Sequence, residues 1–173
     1  MAKDLFHNTV KIALQKDGWK ITHDPYQLRY GVADVYIDLA AEEAIAAEKE
    51  GRNINSGCIG MIKPQRTQRT QRKRRERWII PMQRIWYKIA VEVKSFAGRS
   101  TISEFHTALG QFLNYRVAIE VSSEPERMLY LAVPTDIYQM FLRFEPAKTV
   151  IERYEIRLII YNPTREAIDK WID

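Results

Sequence analysis

The sequence predicts an α/β protein, a mixed sheet flanked by helices, and three observations carry that expectation. Helical periodicity and strand-like alternation follow one another in the order helix, strand, hairpin, helix, strand, helix, strand. Hydrophobic residues make up 46% of the 173 residues, enough for one globular core and too many for a disordered chain. No apolar run approaches the length of a membrane span, so no membrane partner is expected.

The elements follow in order. Asp4 can cap a first helix with Phe6, Val10, Ala13 and Leu14 on one face, and Gly18 ends it. Trp19 to His23 reads as a short strand and Asp24-Pro25 as a turn. From Val35 to Leu39 the pattern alternates, with Val35, Ile37 and Leu39 inward and Asp34, Tyr36 and Asp38 on the other face. Ala44 to Lys49 reads either as helix or as a strand leading to a turn at Glu50-Gly51-Arg52-Asn53. Ile89 to Phe96 alternates again. Thr101-Ile102-Ser103-Glu104 reads as a capping box, opening a helix with Phe105, Ala108, Leu109 and Phe112 on one face. Met128 to Val133 is apolar on both faces, as a central strand is. A helix from Pro134 to about Phe144, another over Ala147 to Tyr154, a strand at Arg157 to Tyr161 and a short element at Ile168 to Ile172 complete the chain.

The net charge of +5 is uneven. Asn53 to Lys88 holds ten basic residues and one acid, Glu76, for a charge of +9, while the remainder carries −4. Within it Gln65 to Arg72 is a tandem Gln-Arg-Thr repeat, followed by Lys73-Arg74-Arg75. We read the chain as one domain, 1–173, with a basic low-complexity insertion at about 53–88 in a hairpin tip, where insertions are tolerated. Such a segment is either a phosphate-binding arm or a solvated tract without a role. Trp78 and Trp86, interleaved with arginines, could stack on bases or pack on the domain or a partner. One cysteine, Cys58, excludes an internal disulfide framework, and no signal peptide is visible, so a cytoplasmic protein is expected.

The chemistry is concentrated in Glu92-Val93-Lys94. In a strand, Glu92 and Lys94 project from one face, where a carboxylate and an ammonium can hold a divalent metal and steady a water. This is the Glu-x-Lys signature of PD-(D/E)XK nucleases, although such a tripeptide is more often a solvated pair. An acidic strand carrying Asp34 and Asp38 precedes it, and a helix with Gln111 and Tyr115, four residues apart, follows. In the restriction-endonuclease-like (PD-(D/E)XK) fold these elements occur in this order, with an Asp and the Glu holding Mg²⁺ and the Lys acting on the attacking water. Gln-x-x-x-Tyr on the next helix resembles the motif that buttresses the site in RecB-like members. Asp38 is preferred as the first metal ligand, with Asp34 and Glu48 as alternates. His7, His23 and His106 show no ligand spacing and read as surface or capping residues.

A broader resemblance covers most of the chain outside 53–88. It rests on Lys3-Asp4 with His7, on Lys16-Asp17-Gly18-Trp19 and on Tyr36 to Glu42. Ile45 to Gly51, Ile89 to Phe96, Ala108 to Tyr115 and Leu129 to Pro134 extend it. In these runs the chain resembles the XisH family, the fdxN-element excision controlling factors of cyanobacteria. The resemblance implies a PD-(D/E)XK-like fold and a part in removing a DNA element during heterocyst differentiation. It also implies DNA and an XisI-like protein as partners; a homo-oligomer is open. Catalytic residues would be Asp38, Glu92, Lys94, Gln111 and Tyr115, with Mg²⁺ as cofactor. The resemblance also implies a separate excision recombinase, and a catalytically inactive protein that binds DNA or XisI and regulates that recombinase is the alternative. A toxin-type nuclease paired with an inhibitor is a third reading.

Overall fold

The computed structural model describes residues 4–45 and 85–173. The chain divides into two units, Met1–Ala44 with Trp86–Asp173 and Ile45–Ile85. In the larger unit the first helix, α1 (His7–Lys16), buries His7, Val10, Ala13 and Leu14 on one stripe. Gly18, at φ +99, turns the chain into β1 (Lys20–His23). Next comes an antiparallel pair absent from the sequence reading. β2 (Tyr26–Tyr30) pairs with β3 (Ala33–Ile37), Tyr26 opposite Ile37 and Arg29 opposite Asp34. At Asp38 the chain leaves this ribbon and enters the main sheet as β4 (Leu39–Ile45).

The strand expected as one run from Val35 to Leu39 is therefore two strands in two sheets. Asp34 and Asp38 do not share a strand face. A second correction concerns the basic segment. β5 runs from Ile85 to Val93, so Ile85 to Lys88 belong to a sheet strand and not to an insertion. Glu48, Trp78 and the rest of that segment lie outside the described residues; Trp86 stands in β5, 49% exposed.

The long helix α2 (Thr101–Glu120) follows, capped by Ser100, whose hydroxyl accepts from Ser103 N. The cap falls one residue before the expected box, and Glu104 instead accepts from Gly98 N. β6 (Met128–Pro134) leads into a helical turn, α3 (Thr135–Ile137), continued by a π-helical turn at Tyr138–Leu142. α4 (Ala147–Arg153), β7 (Leu158–Asn162) and β8 (Ala167–Ile172) close the unit.

The result is a mixed α/β architecture. The main sheet has the order β1-β4-β5-β6-β7-β8, with β5, β6 and β7 parallel and β1/β4 and β7/β8 antiparallel. Alternation along the strands builds two cores. Ile89, Val91 and Val93 join Val10 and Leu14 of α1 on one face. Ala90, Leu129, Leu131 and Val133 join Phe105, Phe112 and the ribbon on the other. Phe6 closes on Tyr161 edge to face, their rings 6.0 Å apart. Among the described residues no helix is long and apolar enough to cross a membrane.

Candidate active site

Glu92 lies on the α2 face of β5, because Val91 and Val93 occupy the α1 face. Within an apolar layer it is 1% exposed. Asp38 reaches it from the joint between ribbon and sheet. Its Oδ2 accepts a hydrogen bond from Val93 N at 2.9 Å, next to Glu92. The strand ends at Val93, and Lys94 follows with its Nζ 3.0 Å from Glu92 Oε1. That approach lies off the hydrogen-bonding directions: neither Glu92 carboxylate oxygen makes a well-formed hydrogen bond. Asp38, Glu92 and Lys94 are thus brought together.

The electrostatics follow from this packing. Burial, and then the neighbouring Asp38 charge, push the Glu92 carboxyl up to about 7; the Lys94 ammonium offsets only part of this. Tyr115, 8% exposed, comes from α2. Its phenol is pushed up to about 12 by burial and by the charges of Glu92 and Asp38, against a hydrogen bond with Gln111. Gln111 Oε1 is buried with no partner. Tyr115 therefore lies by the acidic cluster, and Gln111 is linked to it through Tyr115. Asp34 lies apart, exposed on the ribbon opposite Arg29.

One member was missed. His7, read as a surface or capping residue, is 2% exposed. Its Nε2 is 2.8 Å from Asp24 Oδ1, and Lys11 Nζ holds the other Asp24 oxygen at 2.7 Å. A carboxylate accepts, so the ring carries its proton on Nε2. Nδ1 is left buried and unpaired, 3.6 Å from Asp38 Oδ1. The signal was present: positions 7, 10 and 14 share one helical stripe, which makes His7 a buried residue rather than a cap. Asp4, expected as the cap of α1, does not cap it, since the N-cap is Phe6 with no side-chain cap bond; it ties down the chain just past β5 instead. One oxygen accepts from Phe6 N and the other from Ser95 N and Oγ.

Asp38 and Glu92 are the residues here that could hold a hard divalent cation. Mg²⁺ is held by one or two carboxylates and water. Among the described residues no three His, Cys, Asp or Glu side chains form a metal-holding group.

Fold and site together describe an α/β protein with a buried acid-lysine centre at the ends of its sheet strands. The chain belongs to the XisH family, whose model matches residues 1–59 and 61–169 and so runs through the segment read as an insertion. The crystal structure of an XisH family protein from Nostoc punctiforme PCC 73102 is similar at a TM-score of 0.69 and 38% identity, covering 98% of this chain and 100% of that one. A fdxN element excision controlling factor protein from Anabaena variabilis is similar at a TM-score of 0.69 and 37% identity, covering 99% and 100%. No curated protein matches the chain.

Proposed function

We propose that this protein is a Mg²⁺-dependent deoxyribonuclease of the restriction-endonuclease-like (PD-(D/E)XK) type that acts in programmed excision of a DNA element. The observation that carries the reading is Glu92: a carboxylate 1% exposed, without a well-formed hydrogen bond, beside Asp38 and Lys94. A fold keeps so poorly satisfied a charge only at a cost, and such groups cluster where chemistry is done. The family membership and the likeness to an excision controlling factor support the setting.

In this reading Asp38 and Glu92 would hold Mg²⁺, which would supply Lewis acidity at the scissile phosphate. Lys94, 22% exposed, turns its ammonium from Glu92 toward the water or the phosphate oxygens and balances developing negative charge. His7, held by Asp24, lies beside Asp38. Gln111 and Tyr115 close the α2 side and keep bulk water from Glu92.

The test is nicking of supercoiled plasmid by purified protein with Mg²⁺. We expect cleavage that stops on chelation and in Asp38→Asn, Glu92→Gln and Lys94→Met, and that survives in Asp34→Asn. The second reading is a catalytically inactive protein that binds DNA or an XisI-like partner. The absence of a three-ligand group among the described residues favours it. No cleavage, with DNA or XisI-like protein bound equally by wild type and Glu92→Gln, would establish that reading instead.

A further inference from the structure

Three of the described lysines are half-buried in ion pairs, and one of them is bound differently. Lys11 and Lys88, 35% and 27% exposed, hydrogen-bond their carboxylates at 2.7 and 2.6 Å. Lys94 is more buried, at 22%, yet stands 3.0 Å from Glu92 Oε1 without a well-formed hydrogen bond to it. Charge rather than direction holds this ammonium in place. The charges themselves do not balance. Asp38 bears on Glu92 with a second negative charge. It is met by the Val93 N–H and by the lone pair of His7 Nδ1, neither of them a charge. Among the described residues Lys94 is the one ion-pair partner of Glu92, so one positive charge answers two negative ones. A divalent cation answers both.

The surroundings separate what is fixed from what can move. Glu92 lies inside β5 and is 1% exposed. The backbone at Lys94 is pinned as well. Its N donates to Ala132 O at 3.0 Å, and Ser95 N and Oγ each donate to Asp4 Oδ2 at 3.0 Å. The Lys94 side chain is unbranched and partly open to solvent, so it is the part of the pair that can leave. Leaving breaks no well-formed hydrogen bond, and an ammonium that reaches water is solvated again.

We propose that Lys94 is a tethered competitor for the cation seat at Glu92: a divalent ion enters as the lysine side chain swings out, and the two exclude each other. The inference rests on reading Asp38 and Glu92 as a cation site, and adds how that site is loaded. Two positive charges side by side in an apolar layer repel far more than they would in water. Without an ion, Lys94 tempers the two carboxylates. With one, its ammonium turns outward, where an anionic group such as a phosphate can meet it. An anion that draws Lys94 off therefore strengthens ion binding, and the ion strengthens binding of that anion by the same factor.

The experiment is calorimetric titration of the full chain with MgCl₂ and with MnCl₂ in mildly alkaline buffer, wild type against Lys94→Met and Lys11→Met. Methionine keeps the reach of the side chain and removes its charge. We expect Lys94→Met to bind each ion about tenfold more tightly or better. Lys11→Met, whose lysine pairs with Asp24 instead, should stay within about twofold of the wild type. A second measurement needs only the wild type, and so decides the matter even where Lys94→Met fails to fold. Mild amine acetylation, read residue by residue by mass spectrometry, should rise several-fold at Lys94 in saturating MgCl₂ and stay unchanged at Lys11 and Lys88. Equal ion affinity in the wild type and Lys94→Met, or unaltered Lys94 labelling at saturation, overturns the inference and leaves the cation site standing. No ion bound by either protein overturns both.

Discussion

Two charged clusters sit in the larger unit and could not be treated more differently. One surrounds Glu92 and is left short of partners. The other surrounds Arg127, whose side chain is 0% exposed and fully engaged. Its guanidinium donates to Ala41 O, Ile89 O, Glu42 and Glu124, and stacks over Tyr26 at 4.8 Å. Glu124 takes further bonds from Tyr26 and from Lys88 at 2.6 Å. Burial alone would raise Glu124, but hydrogen bonds from Lys88 and Arg127 hold it down to about 2, whereas Glu92 stands at about 7. Ala41 and Ile89, which Arg127 joins, lie three residues from Asp38 and Glu92 respectively. The satisfied cluster holds the strands; the unsatisfied one hangs from them. A saturated network stabilises, and an unsaturated one is what a ligand can complete.

The comparison breaks most readily at Arg127. Arg127→Met strips partners from Glu124, Glu42 and two carbonyls, and should destabilise by about 3–5 kcal/mol in urea unfolding. A loss under about 1 kcal/mol would mean the network is ornamental.

Glu92 should behave in the opposite sense. Its folded value of about 7 lies above 4.5, so between those values the folded state holds a proton that the unfolded state releases. Stability from this group is present below pH 4.5 and is lost as pH rises to about 7. Glu92→Gln should therefore raise stability above neutrality by about 1–3 kcal/mol, with no gain in acid. A destabilised Glu92→Gln at alkaline pH would show that the carboxylate is well paired after all.

Glu124 sharpens the contrast. Its folded value of about 2 lies below 4.5, so its contribution is present above pH 4.5 and is lost as pH falls toward 2. Glu124→Gln should lower neutral stability by about 1–2 kcal/mol, a figure reduced for partial solvent screening, and should flatten acid unfolding in that window. The smallest effect belongs to Asp34→Asn, expected within about 0.5 kcal/mol because the residue is exposed on the ribbon. A large effect there would return Asp34 to the site.

What could be read beforehand follows how local the physics is. β5 declared itself because strict alternation over Ile89 to Lys94 separates an apolar face from Glu92. The α2 stripe was equally plain, and Gln111 and Tyr115 came with it. The β2–β3 ribbon was overlooked although Tyr26-Gln27-Leu28-Arg29-Tyr30 alternates and Gly31, at φ +62, supplies its turn. Missing it merged β3 with β4 and put Asp34 beside Asp38. Arg127 left no local trace: the carbonyls it binds are 38 and 86 residues away, and only the fold brings them together.

The central claim is that Asp38 and Glu92 form a divalent-cation site, and equilibrium unfolding with and without Mg²⁺ tests it most directly. A ligand that binds only the folded state stabilises by about 2.7 kcal/mol at a hundred times its Kd. The account predicts that saturating Mg²⁺ stabilises the wild type to about that extent and leaves Asp38→Asn and Glu92→Gln unchanged. Equal stabilisation of all three proteins, or none in the wild type, would contradict it.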